Sequence, residues 1–295
     1  MGEAPPSPPT EELPVPEPRI LMTGLVLGES PRWHDGRLWV CDWGAHEVIA
    51  LDLDGHREVV LRVSSFPFCI DWLPDGRLLV VAGSDRRLLR REPDGSLVPH
   101  ADLAGLCDRP WNEVVVDGRG NAYVNCIGFD MMAGEEAADG VLALVAPEGS
   151  ARRVAEKVAF PNGMAVTPDG STLILAESYR SRLTAFDIEA DGGLTNRRVW
   201  AELEGAAPDG ICLDVEGAVW YADVPNKCCV RVREGGEVLQ TIALDRGCFS
   251  CALGGPDGRT LFMTAAEWPA AANTTGGTRT GQVLAAQAPA PGAEG

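Results

Sequence analysis

Apolar and polar residues alternate along this chain with a period of two, in short runs broken by Gly, Pro and Asp. Successive side chains of a strand point to opposite faces, so such runs read as half-buried strands. Six units repeat one pattern, at residues 31–40, 70–80, 114–124, 160–176, 211–220 and 252–262. In each, two runs flank a turn: Asp35-Gly36, Pro74-Asp75-Gly76, Asp117-Gly118, Pro168-Asp169-Gly170, Glu216-Gly217 and Pro256-Asp257-Gly258. These are turn pairs by chemistry, with Asp bonding the backbone ahead of it and Gly bending freely. A third run follows, as at 47–52 and 182–187, then a fourth, as at 58–61 and 197–201. The turns recur about every 40 to 50 residues, the period of a four-stranded propeller blade. The pattern predicts an all-β fold, a six-bladed β-propeller. Residues 19–22 are the natural outer strand of the sixth blade, whose own last strand ends near 282–285.

The repeat gives one propeller domain over 19–286. Residues 1–18, rich in Pro and Glu, are expected to be a disordered leader, and 287–295 a flexible tail. Insertions at 131–140 and 268–281 interrupt units three and six and could cover a site at the propeller mouth.

Composition narrows the partners. With 45% hydrophobic residues the chain can bury a large core, and a formal charge of −18 speaks against nucleic acid or an anionic membrane surface. No apolar run approaches the roughly 18 to 20 residues that span a bilayer, and no signal-like segment precedes the repeat, so a cytoplasmic protein is expected, monomeric or weakly self-associating. The nine cysteines, Cys126 among them, sit largely in strand-like runs and read as reduced, buried thiols. Cys248-Phe249-Ser250-Cys251 has no second pair or nearby His to complete a zinc site, and reads as small residues opening a strand.

In a propeller the first strand of every blade starts at the same end of the central channel. Counting back six to eight residues from each turn glycine gives Glu29, Cys69 (or Phe68), Asn112, Asn162, Asp209 and Ser250. Four of the six carry carboxylate or amide oxygens, flanked by Gly and Pro corners. Any one of them alone is ordinary turn chemistry; four at one step of a ring predict a central divalent metal site. The hard ions Ca²⁺, Mg²⁺ and Mn²⁺ suit that oxygen set, with Ca²⁺ foremost; Zn²⁺ and Fe²⁺ are kept open. No nucleophile elbow, phosphate loop or dinucleotide fingerprint is present. Trp111, beside Asn112, and Trp268 are candidate substrate walls.

Gly28-Glu29-Ser30-Pro31-Arg32-Trp33, Trp111-Asn112-Glu113, Phe160-Pro161-Asn162-Gly163-Met164 and Pro208-Asp209-Gly210-Ile211-Cys212-Leu213-Asp214 together resemble the SMP-30/gluconolactonase/LRE-like family of six-bladed propeller lactonases. The resemblance implies Glu29, Asn162 and Asp209 as ligands of one divalent cation and Asn112 as a substrate contact. It also implies hydrolysis of a lactone, typically a sugar aldonolactone, with Asp209 activating water. Sugar-lactonase members often carry an arginine two residues before the blade-three asparagine; here Pro110 stands there and Arg109 one step earlier. Asp130 falls where members carry an acidic substrate contact. The alternatives are hydrolysis of a non-sugar cyclic ester and a non-catalytic, metal-stabilised binding propeller.

Overall fold

A computed structural model describes residues 17–131, 133–267 and 278–293. These residues form six four-stranded antiparallel sheets, the blades of a six-bladed β-propeller. The innermost strands are Gly28–His34, Ile70–Trp72, Trp111–Val116, Pro161–Val166, Pro208–Leu213 and Gly247–Gly254, and they touch one another around the channel. The turn chemistry acts as its composition requires. Asp75 Oδ1 accepts the Arg77 N–H and Asp169 Oδ1 the Ser171 N–H, both at 3.1 Å, while Gly76 and Gly170 adopt φ of 83° and 67°. In blade three the left-handed glycine is Gly120 (φ 85°), not Gly118.

Strand Arg19–Leu25 pairs with Gly281–Gln287, Arg19 opposite Ala285, and so becomes the outer strand of blade six. This strand thus closes the ring and covers the outer edge of Gly281–Gln287.

An apolar cluster fills each of the six junctions between neighbouring blades. Leu38 and Val40 of blade one meet Phe262 and Val283 of blade six, and Trp111 of blade three meets Leu79 and Val81 of blade two. Both faces of the middle strands are therefore buried, and each such side chain contributes about 1.5–3 kcal/mol. A blade cannot bury these faces alone, which is why the repeat specifies a ring.

Two expectations change. Residues 288–293, expected to belong to a flexible tail, are docked: Ala288 N–H donates to Arg259 O, Gly292 N–H to Gly258 O and Ala293 N–H to Leu213 O. Ala288 and Ala290 are buried, so this segment straps blade five to blade six. Cys126 is not a free thiol but is joined to Cys107 in a disulfide; the other seven cysteines are free. The leader up to residue 16, and Trp268 with most of the second insertion, lie outside the described residues. No helix among the described residues is long and apolar enough to cross a membrane.

Candidate metal centre at the channel mouth

Five of the six inner strands share one irregularity. Their pairing slips between Glu29 and Arg32, Trp111 and Val114, Pro161 and Met164, Pro208 and Ile211, and Cys248 and Ser250. Such a bulge leaves residues out of the ladder and re-aims their side chains. Glu29, Asn112, Asn162 and Asp209 all sit at these slips, and all four line one cavity of about 570 Å³. The Pro161-Asn162-Gly163 and Pro208-Asp209-Gly210 stretches are therefore strand openings rather than turns. Their glycines also have a different reason from the expected corner. A Cβ on Gly163 would lie 2.5 Å from Ile211 N and 2.6 Å from Asp209 O, and one on Gly210 would lie 2.7 Å from Ser250 Cα. Neighbouring inner strands pack too closely there for any side chain.

Hydrogen bonds fix the donors. Ser30, at φ 49°, accepts the Ile70 N–H on Oγ at 3.0 Å and anchors the strand carrying Glu29 to blade two. Asn125 Nδ2 donates to Asn162 O at 2.7 Å, and the Asn162 amide nitrogen donates to Ser178 Oγ at 3.4 Å and to the Asp209 carboxylate. Ser178 Oγ in turn donates to Pro208 O at 2.7 Å, so one chain of bonds ties blade three to four and four to five. With its nitrogen committed, Asn162 offers Oδ1 as an acceptor.

Electrostatics favour uptake of positive charge at the mouth. Burial, then the charges of Asp209 and Glu113, push the Glu29 carboxyl well above the usual range. Burial, then Glu113, do the same to Asp209. Arg32 is already engaged, with Asp71 at 3.9 Å, Glu113 at 3.4 Å and the Val114 carbonyl at 2.9 Å. Two such carboxylates, Glu29 buried and Asp209 half-buried, with no cationic partner among the described residues, are costly unless they take up protons or a metal. Beside two amide oxygens they fit a hard divalent ion. The Asp52, Asp54 and His56 cluster is a separate turn in blade one, with His56 Nδ1 already 3.1 Å from Asp52.

The substrate contacts expected around this set divide. Asp130 lines the cavity, as does Pro110. Arg109 does not: its guanidinium is bound to Glu135 at 2.7 Å and Asp108 at 3.0 Å. Trp111 is no substrate wall either; it is fully buried in the packing of blades two and three, because the bulge turns Asn112 to the mouth and leaves its neighbour in the core. Cys69 and Ser250, the two mouth positions without a carboxylate or amide, do not line the cavity; Cys69 Sγ donates to Glu113 at 3.0 Å.

Glu113 is the polar residue that sequence counting missed. It lines the cavity, is buried, and takes its N–H bond to Asn125 Oδ1 at 3.2 Å. Strict alternation would point it away from Asn112, and only the bulge lets both reach the channel. Six aromatic residues also line the cavity: Phe249 on the inner strand of blade six, and Trp43, Phe66, Phe129, Phe160 and Tyr179 between strands, where no periodicity marks them.

The class this defines is a six-bladed propeller whose channel mouth gathers carboxylate and amide oxygens under an apolar rim. The SMP-30/Gluconolactonase/LRE-like region matches residues 27–267, and the chain belongs to that family. It is 30% identical to regucalcin of Danio rerio over 256 residues, covering 81% of this chain and 83% of that protein. It is 26% identical to a pentonolactonase of Haloferax volcanii over 256 residues, covering 84% of each. Among solved structures, a calcium-binding regucalcin from Agrobacterium tumefaciens superposes with a TM-score of 0.76 at 23% identity, over 94% of this chain and 95% of that one, a likeness of fold.

Proposed function

We propose that this protein is a divalent-metal-dependent lactonase. The observation that carries the reading is the convergence of Glu29, Asn112, Asn162 and Asp209 on one cavity at the channel mouth. The pentonolactonase relative supports a lactone as substrate, and the regucalcin relatives put calcium first among the candidate ions. Glu29, Asn162 and Asp209 would hold the cation. Once bound, it supplies Lewis-acid polarisation of the ester carbonyl.

The protein's own groups do the rest. Asn112, whose amide has no hydrogen-bond partner among the described residues, orients the lactone by donating to its oxygens. Asp209 accepts a proton from the attacking water as the new carbon–oxygen bond forms. The ring carbon–oxygen bond then breaks, and that proton passes to the departing ring oxygen, leaving a hydroxy acid. The aromatic rim excludes bulk water from the mouth, which strengthens each electrostatic contact inside it.

The test is proton release from a panel of lactones by chelator-treated protein reloaded with Ca²⁺, Mg²⁺, Mn²⁺, Zn²⁺ or Fe²⁺. Turnover restored by one ion is the expected result. Full turnover in metal-free protein would overturn the metal's role. Metal binding with no turnover of any cyclic ester would leave a binding propeller instead.

A further inference from the structure

We infer that the substrate of this site is a lactone carrying an apolar substituent, an alkyl chain or an aromatic ring, rather than a polyhydroxylated sugar lactone. The inference rests on the lactonase reading above. Beside the oxygen donors the cavity is lined largely by apolar groups, aliphatic, proline and aromatic, with the rings forming two clusters. Trp43 and Phe66, from blade one and the loop leading to blade two, meet edge-on with centroids 5.2 Å apart. Phe160 stacks on Tyr179 at 4.5 Å and meets Phe129 at 5.7 Å, on loops of blades three and four. Tyr179 keeps 56% of its surface exposed although it is stacked on one side, so an apolar face stands ready for a ligand.

Most polar atoms in this wall are already used; the Tyr179 hydroxyl and Asp130 Oδ2 are the exceptions among the described residues. Trp43 Nε1–H donates to Phe68 O at 2.6 Å, the Ser84 hydroxyl donates to Phe66 O, and the Ser178 hydroxyl to Pro208 O. Asp130 Oδ1 accepts the Ala133 N–H at 2.9 Å. Arg109, the neighbouring cation that could have met a sugar's hydroxyls, is held by Glu135 and Asp108 away from the cavity. A sugar lactone would bring several hydroxyls against rings and proline edges, and each hydroxyl buried without a partner weakens binding about tenfold or more. An alkyl or aryl substituent meets no such cost and buries the exposed rings instead. A cavity of about 570 Å³ has room for a substituent besides the lactone ring.

The experiment compares glucono-δ-lactone, unsubstituted δ-valerolactone, δ-decalactone and dihydrocoumarin on the metal-loaded full chain. We expect kcat/KM for δ-decalactone or dihydrocoumarin to exceed that for glucono-δ-lactone by about 100-fold or more. Tyr179→Ala and Phe129→Ala should each lower it about tenfold, chiefly through KM, with a larger loss for δ-decalactone than for δ-valerolactone. Equal or better turnover of glucono-δ-lactone would overturn the inference while leaving the lactonase reading intact. If no lactone is turned over, the lactonase reading falls, and binding followed by Trp43 fluorescence decides this one: saturable quenching by δ-decalactone but not by glucono-δ-lactone upholds an apolar site, and its absence overturns it.

Discussion

Glu29→Gln should move stability and metal affinity in opposite directions. In the metal-free protein Glu29 is 6% exposed and faces the charges of Asp209 and Glu113, and the Ser30 N–H is the group that favours its ionised form. Its carboxyl is raised, so the folded state holds that proton more tightly than the unfolded chain does. The stability this confers is complete below the ordinary carboxylate range and lost as pH rises through the raised value. At neutral pH the metal-free fold therefore bears a cost at Glu29, either of the buried charge or of holding its proton. Two like charges at 4 Å in a medium of effective dielectric 20 repel by about 4 kcal/mol, and more widely spaced ones by less. A neutral amide should then stabilise the metal-free protein by about 1–3 kcal/mol, at roughly 2–4 °C per kcal/mol for a large domain. Metal reverses the comparison. At 100 times its dissociation constant, an ion stabilises the wild type by about 2.7 kcal/mol; an affinity lowered about 100-fold leaves the variant about 0.4 kcal/mol at the same concentration. Calorimetric melting at pH 7 in chelator and in Ca²⁺ reads both numbers, and at pH 4 the variant's advantage in chelator should shrink. A variant that melts below wild type in chelator, or that gains the full metal stabilisation, would refute the reasoning.

Asp209→Asn, at saturating metal, should lower kcat for lactone hydrolysis by about 100-fold or more with an unchanged circular dichroism spectrum; near-normal turnover would remove Asp209 as the proton acceptor. Glu177→Ala should cost about 3–5 kcal/mol in urea unfolding, because that buried carboxylate accepts the Ala159 N–H at 2.7 Å, Thr184 at 2.6 Å, Arg182 at 2.8 Å and Arg197 at 2.9 Å. Burial pushes the Glu177 carboxyl up, but bonds from Thr184 and Ala159 outweigh it and hold the group below the usual range. Its contribution is thus present at neutral pH and lost as pH falls through that lowered value, so the gap between wild type and variant should narrow in acid. Gly163→Ala should reduce both stability, by about 2 kcal/mol or more, and Ca²⁺ affinity in a titration, since its Cβ collides with Ile211 N of blade five. Gly170→Ala, strained only by its φ of 67° and with open space around it, should cost about 1–2 kcal/mol and leave Ca²⁺ affinity unchanged.

What the sequence made legible was whatever repeats. Asp-Gly turns fix hairpins locally, so blade number, ring closure through residues 19–22 and the shared mouth position of Glu29, Asn112, Asn162 and Asp209 could be counted from spacing alone. What it hid was whatever a bulge or a loop decides. Glu113 and Trp111 flank Asn112, and a period of two gives both the same side; the slip between Trp111 and Val114 sends one to the cavity and the other to the core. Arg109 looked available until Glu135, 26 residues on, folded back to it. The aromatic wall draws most of its residues from separate connections between strands, which share no period to reveal them.

The mixture of two carboxylates and two amides at the mouth follows from charge. Four carboxylates would supply the same number of oxygen donors but leave a net charge after any divalent ion had bound, in a setting where burial already drives Glu29 and Asp209 toward their protonated forms. Two amides keep the oxygens and halve the charge, so that one divalent cation neutralises Glu29 and Asp209 together. Glu113 adds to the negative charge of the mouth, offset in part by Arg32 at 3.4 Å, which it shares with Asp71. A singly charged ion would leave one negative charge of that pair unanswered. The same close approach of inner strands that forbids a side chain at Gly163 and Gly210 brings Asn162 and Asp209 within hydrogen-bonding reach of each other. The packing that closes the ring therefore also sets the charge state of the ion it can hold.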